Sequence, residues 1–271
     1  MSSATWGVLM RQSRYAQRVI GEPEGPPPAA DGRYYPPGWG ATTPNADALR
    51  FAVIGDSLAA GIGAENADGV PGVQLARGLA QELGQPVDLI TYAISGSTTK
   101  DMIEQVDKAL ANPPDVALVV IGGNDVTTKM SVRTSATLLG GEVARLRAAG
   151  AGVVVGTCPD LLPILPIHVP LRWVASGWSR LLARAQARAA HKAGGLAVPL
   201  GELVSPQFLV RPDELFSPDH FHPNGAGYEI AKAALLGPLV LAAGGDATEE
   251  PALTVTEPAV LPLGQAEPAT S

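Results

Sequence analysis

The sequence is short of several things, and each shortage excludes something. Among its 271 residues there is one cysteine, Cys158. Neither an intrachain disulfide nor a cysteine-based zinc cluster can therefore form, and a disulfide-free chain suits either redox compartment. Charged residues make up only 17%, below the roughly 25% usual in soluble domains. Lys and Arg number 19 against 26 Asp and Glu, a net charge of −7. A phosphate-backbone binder needs clustered basic residues, so nucleic acid is not an expected partner. The same balance gives no reason to expect attraction to anionic lipid. No apolar run reaches the ~18 residues of a membrane span. The opening stretch of residues 1–21 has a short apolar run followed, not preceded, by basic residues, unlike an export signal. The chain as written is expected in the cytoplasm, with export or cell-envelope association as the alternative.

What is present is ample apolar material, 46% of the chain, enough for a sizeable core. The chain has 31 glycines and 25 prolines. Residues 21–48 are Pro/Gly-rich, and since proline stiffens the backbone and lacks a donor, this reads as an extended arm. Tyr34, Tyr35 and Trp39 suggest that the arm packs on something. From about Gly244 the chain is acidic, Ala/Pro/Thr-rich and aperiodic, the composition of a disordered tail. Three regions follow: residues 1–48 as N-terminal segment and arm, 49–243 as the folded domain, and 244–271 as the tail. No internal repeat is visible.

Within the middle region short apolar runs alternate with helical patterns. Phe51–Gly55, Val87–Ile94, Val116–Ile121, Val153–Thr157 and Leu196–Leu200 suit buried strands. Between them, Val73–Leu83 repeats apolar residues on one helical face and stops at Gly84. Another helix starts at Thr98 with a capping box to Asp101. Ser131–Ala149, Arg172–Lys192 and Gly225–Ala234 complete the set. The alternation predicts an α/β protein with a mainly parallel five-stranded sheet covered on both faces. Ligands on such sheets bind beyond the carboxyl ends of the strands, so residues after those ends matter most.

The first strand ends in Gly55-Asp56-Ser57-Leu58. A serine there can be held exposed with its backbone N–H free, although a helix cap and tight turn would use the same residues. The pattern is not G-x-S-x-G, and no Gly-Lys pair marks a phosphate loop. The second strand leads to Gly96, whose N–H can face developing negative charge or simply form a turn. The third leads to Gly122-Gly123-Asn124-Asp125. Asn124 has a neutral, directional amide suited to an oxyanion, and the same residues also suit an ordinary turn. Late in the chain, Asp219 and His222 stand three apart in Ser217-Pro218-Asp219-His220-Phe221-His222-Pro223. A carboxylate there can hold one imidazole nitrogen and leave the other as a base toward serine. His220 is the runner-up base. A metal role for His220 and His222 lacks further clustered ligands, and a structural role for the pair stays open. Asp56 reads as turn support, Asp125 as a loop anchor, and Cys158 as packing.

These ordered blocks resemble those of the SGNH-hydrolase superfamily, also called GDSL esterases/lipases, over roughly residues 51–236. The resemblance implies a three-layer α/β/α sandwich like that of flavodoxin. It implies Ser57 as nucleophile, His222 as base then acid, and Asp219 as its orienting partner. An oxyanion hole would be made by the backbone N–H groups of Ser57 and Gly96 and the side chain of Asn124. No metal or other cofactor is implied. The expected activity is hydrolysis of small or short-to-medium acyl esters through an acyl-enzyme, the partner being a small-molecule ester and the chain a monomer. A carbohydrate O-deacetylase, thioesterase or acyltransferase with the same catalytic set is the alternative, as is a non-catalytic module on this fold. The apolar, proline-broken stretch 160–178 is expected to wall the acyl site through Leu162, Leu165, Ile167 and Trp173, unless it is only a loop packed on the body.

Overall fold

A computed structural model describes residues 3–20, 25–39 and 47–245. Among the described residues there are six strands: β1 (Gly32–Tyr34), β2 (Leu49–Gly55), β3 (Val87–Thr91), β4 (Val116–Val120), β5 (Gly152–Gly156) and β6 (Leu196–Val198). They form one sheet in the order β1-β3-β2-β4-β5-β6. Every pairing is parallel except β1 with β3. The helices are α1 (Ser3–Ile20), α2 (Ser57–Ala60), α3 (Pro71–Leu83), α4 (Met102–Leu110), α5 (Gly123–Thr127), α6 (Val132–Ala148), α7 (Leu171–Lys192), α8 (Leu200–Leu203), α9 (Ser205–Val210), α10 (Pro212–Leu215) and α11 (Gly225–Ala242).

Strand periodicity divides the core in two. Successive side chains of a strand point to opposite faces. Phe51, Val53 and Leu118 therefore join α3 and α11 on one side, while Ala52, Ile54 and Val119 join α4 and α6 on the other. Both layers are sealed, with Ile54, Leu79, Leu139 and Leu239 fully buried. Each such side chain contributes about 1.5–3 kcal/mol, which is why these strands read as continuous apolar runs.

The sheet has six strands, not five. The sixth is β1, cut from the arm, and its Tyr34 packs against the core. Prolines at 26–28 and 36–37 confine it to three residues, since proline cannot donate to a ladder, and three residues leave no alternation to read. Polar contacts hold it instead. Arg33 forks onto Asp88 at 2.7 Å through two nitrogens, and Asp31 accepts from Thr91 N–H at 2.9 Å. Two helix boundaries also differ from expectation. The helix expected from Thr98 begins at Met102, because Asp101 accepts from both the N–H and the hydroxyl of Thr98 and closes a separate turn. The last helix continues past Pro238 to Ala242, carried by the buried Leu235, Leu239 and Val240. The expected tail lies outside the described residues from 246 onward. No helix among the described residues is long and apolar enough to cross a membrane.

Candidate active site

The carboxyl ends of β2, β3 and β4 deliver three of the expected blocks to one place. Gly55 closes β2 at φ +149°, and a Cβ there would stand 1.9 Å from the Val120 carbonyl oxygen. Only glycine lets the chain turn this close to its neighbour. Asp56 caps α2 by accepting from Leu58 N–H at 3.1 Å. Ser57 is then the first residue of that helix, where N–H groups have no acceptor within the helix. The Asp56 carboxyl is fully enclosed, and burial pushes it up to about 6 despite hydrogen bonds from the N–H groups of Leu58 and Gly122.

The fourth block arrives from a loop before α11. His222 is buried and its Nε2 lies 3.0 Å from Ser57 Oγ. Its Nδ1 lies 2.6 Å from Asp219 Oδ2. An acceptor carboxylate on that side assigns the imidazole proton to Nδ1 and leaves Nε2 with a lone pair toward Ser57. The other Asp219 oxygen accepts from the Ser217 hydroxyl and from the N–H groups of Phe221 and His222, each at 2.8 Å. Burial works to raise the Asp219 carboxyl, but these bonds outweigh it and hold it well below the usual range. Gly63 lets this loop approach α2. At φ +93°, its Cβ would fall 2.4 Å from the Pro223 carbonyl oxygen and 3.0 Å from the His222 Cβ. Asn224 caps α11 by accepting from Gly227 N–H at 2.9 Å. His220, the alternative base, is exposed.

Asn124 opens onto the same cavity as Ser57. Its amide donates to the Ser97 carbonyl at 3.0 Å, which ties it to the loop bearing Gly96. That glycine is exposed, with open space where a side chain would stand. Asp125 is fully buried and anchors the loop from below, accepting from Thr99 N–H at 2.8 Å and from the Ser135 hydroxyl at 2.5 Å.

Sequence reasoning missed Gln105 and Gln186. The buried Gln105 amide takes both sides of the Gly55 peptide backbone, accepting from its N–H at 2.8 Å and donating to its C=O at 2.9 Å. It also donates to Ser97 Oγ at 3.1 Å. Gln186 does likewise further along the sheet, accepting from Cys158 N–H at 2.7 Å and donating to the Ile121 carbonyl at 2.9 Å. Both supply hydrogen bonds where strands end, in place of a ladder. The signal was a polar residue on the inward face of a helix, Gln105 lying between Met102 and Val106. Cys158 is enclosed, and burial pushes its thiol well up, which suits packing and not attack.

Beside Ser57 is a cavity of about 120 Å3, mostly apolar, floored by residues such as Leu118, Leu200, Phe208 and Leu235. The stretch after β5 does wall it, but through Leu161, Pro163 and Ile164, not through the four residues expected. Leu165 and Trp173 project into solvent, Ile167 is buried in the core, and Leu162 is half-buried away from the lining. The segment is wound in short turns, Ile164 N–H to Leu161 O and Ile167 N–H to Ile164 O. Which side chains point inward therefore follows turn geometry, and no period in the sequence shows it.

Residues 53–230 match the GDSL-like Lipase/Acylhydrolase family. The chain is 42% identical over 231 residues to the GDSL-like esterase Rv1075c of Mycobacterium tuberculosis, covering 83% of this chain and 73% of that protein. A lipase/acylhydrolase from Enterococcus faecalis superposes with a TM-score of 0.58 at 19% identity, over 74% of this chain and 100% of the other. The acetylxylan esterase Axe2 from Geobacillus stearothermophilus does so at 0.52 and 18%, over 75% and 98%. These two likenesses bear on the fold. With the matched residues enclosing every block of the site, the chain belongs to the GDSL-like lipase/acylhydrolase family and is a carboxylic ester hydrolase of the GDSL type.

Proposed function

We propose that Ser57, His222 and Asp219 hydrolyse short acyl esters through an acyl-enzyme, with the acyl group seated in the cavity beside Ser57. The observation that carries this is the unbroken chain from Ser57 Oγ to His222 Nε2 at 3.0 Å and from His222 Nδ1 to Asp219 at 2.6 Å. Ser57 Oγ attacks the ester carbonyl while Nε2 takes its proton. Asp219 keeps the imidazole in the required tautomer and stabilises the imidazolium. The tetrahedral oxyanion accepts from the N–H groups of Ser57 and Gly96 and from the Asn124 amide, each worth about 3 kcal/mol in comparable sites. The imidazolium returns its proton to the departing alcohol, and water then repeats the sequence on the acyl-enzyme.

The cavity supports a preference for short acyl groups. An apolar cavity of about 150 Å3 holds benzene, so about 120 Å3 suits an acyl chain of roughly four carbons. Turnover of p-nitrophenyl acetate, butyrate and octanoate by the wild type and Ser57→Ala tests the reading. The expected result is a loss on the order of 10^5-fold in kcat for the variant, no labelling of it by a fluorophosphonate, and a fall of at least about tenfold from butyrate to octanoate in the wild type. Equal rates for wild type and variant would refute it.

A further inference from the structure

The net negative charge of the chain hides a local reversal. Helix α1 carries Arg11, Arg14 and Arg18 and no acidic residue, and all three arginines are exposed. The helix is seated on the chain just beyond the cavity wall. The buried Leu9 faces inward, the Gln12 amide donates to the Val169 carbonyl and accepts from Leu171 N–H, and Tyr15 packs on the His168 ring with centroids 4.6 Å apart.

This seating leaves an apolar stripe in solvent. Val8, Tyr15 and Val19 are each more than two-fifths exposed and lie along one edge of the helix, the edge whose Gln12 and Tyr15 meet residues 168–171. Arg11 and Arg18 each lie three residues after one of them, Val8 and Tyr15, one step around the surface. On the neighbouring segment, Leu165, Val169 and Trp173 are also exposed, Trp173 at 62%. Isolated exposed apolar residues are ordinary, but a contiguous group of large ones is not. A basic helix with one apolar stripe, bordered by an exposed Trp and Tyr, has the composition of elements that lie in the headgroup region of a bilayer. Charge complementarity selects an anionic surface.

We propose that α1 and the adjoining Leu165–Trp173 surface dock on an anionic lipid bilayer, in its plane and without crossing it. The wall of the cavity joins the two regions: Leu161 and Ile164 border the cavity, while Leu165 and Val169 border the docking face. Docking would hold the mouth of the site near lipid. The proposal is independent of the hydrolytic chemistry.

The test is sedimentation of the full chain with vesicles of phosphatidylcholine alone, or with phosphatidylglycerol as a third of the lipid, at about 0.15 M salt. Binding to the anionic vesicles and little to the neutral ones is expected. Replacing Arg11, Arg14 and Arg18 together by Gln should weaken it about a hundredfold, and Val8→Asp with Val19→Asp about tenfold or more. Both variants should keep wild-type turnover of p-nitrophenyl acetate, which reports that they fold. Absence of binding by the wild type, equal binding to both vesicles, or undiminished binding by the arginine variant overturns the proposal. So does a dimer, seen by light scattering, that Val8→Asp with Val19→Asp abolishes while vesicles remain unbound.

Discussion

Ser57 and Ile164 border the same cavity but are held in opposite ways. Around Ser57 the positions are fixed by polar atoms. Gln105 clasps the peptide before it, Asp219 accepts four hydrogen bonds beneath His222, and Asp125 pins the facing loop. Around Ile164 the chain turns on itself, and its outer side rests on a helix from the other end of the sequence. Proton transfer needs heavy atoms within about 3 Å, and directional bonds with defined partners supply that tolerance. Acyl recognition needs only shape and dryness, which packing supplies, and packing can drift without stopping the chemistry.

Substitutions on the two sides should separate by orders of magnitude. Asp219→Asn keeps the shape of the site but reverses the preferred imidazole tautomer, and should lower kcat about 10^4-fold on p-nitrophenyl acetate. Asn124→Ala removes one proposed oxyanion donor and the tether to Ser97, and should cost about 10^2- to 10^3-fold in kcat with KM little changed. A loss carried in KM alone would move Asn124 from transition-state stabilisation to substrate binding. On the apolar side, Ile164→Ala should widen the cavity and shift the octanoate-to-acetate ratio of kcat/KM by a few-fold in favour of the longer chain. Leu165→Ala, one residue on and facing solvent, should leave that ratio within about twofold. Equal shifts for the two would erase the distinction between wall and outer surface.

The same division governs how far the sequence could be read. Buried parallel strands are apolar on both faces, so the central β2, β4 and β5 stood out from their surroundings, while the partly exposed β3 and the edge strand β6 showed as shorter apolar runs. The residues after three of them carry glycine and small polar groups in combinations that packing alone does not require, so Ser57, Gly96 and Asn124 were visible as candidates, and the Asp219–His222 pair showed by its own spacing in the loop before α11. Strand β1 was not, because a three-residue strand between prolines has no pattern to show. The cavity wall was legible as a segment and illegible by residue. A helix or strand announces its inward side by period, whereas the turns from Asp160 to Pro170 place Leu161 and Ile164 inward and Leu165 outward by local geometry. Net charge is an aggregate: a total of −7 gives no view of an 18-residue helix with three arginines and no acid.

The hydrogen bond between Ser57 and His222 joins residues 165 positions apart. A ribosome adding about 5–20 residues per second exposes the serine roughly ten to thirty seconds before it makes the histidine. Throughout that interval the hydroxyl is as unreactive as that of any other serine. On the proposed mechanism, a chain that ends before His222 lacks the base for Ser57, and turnover begins only once that histidine has taken its place.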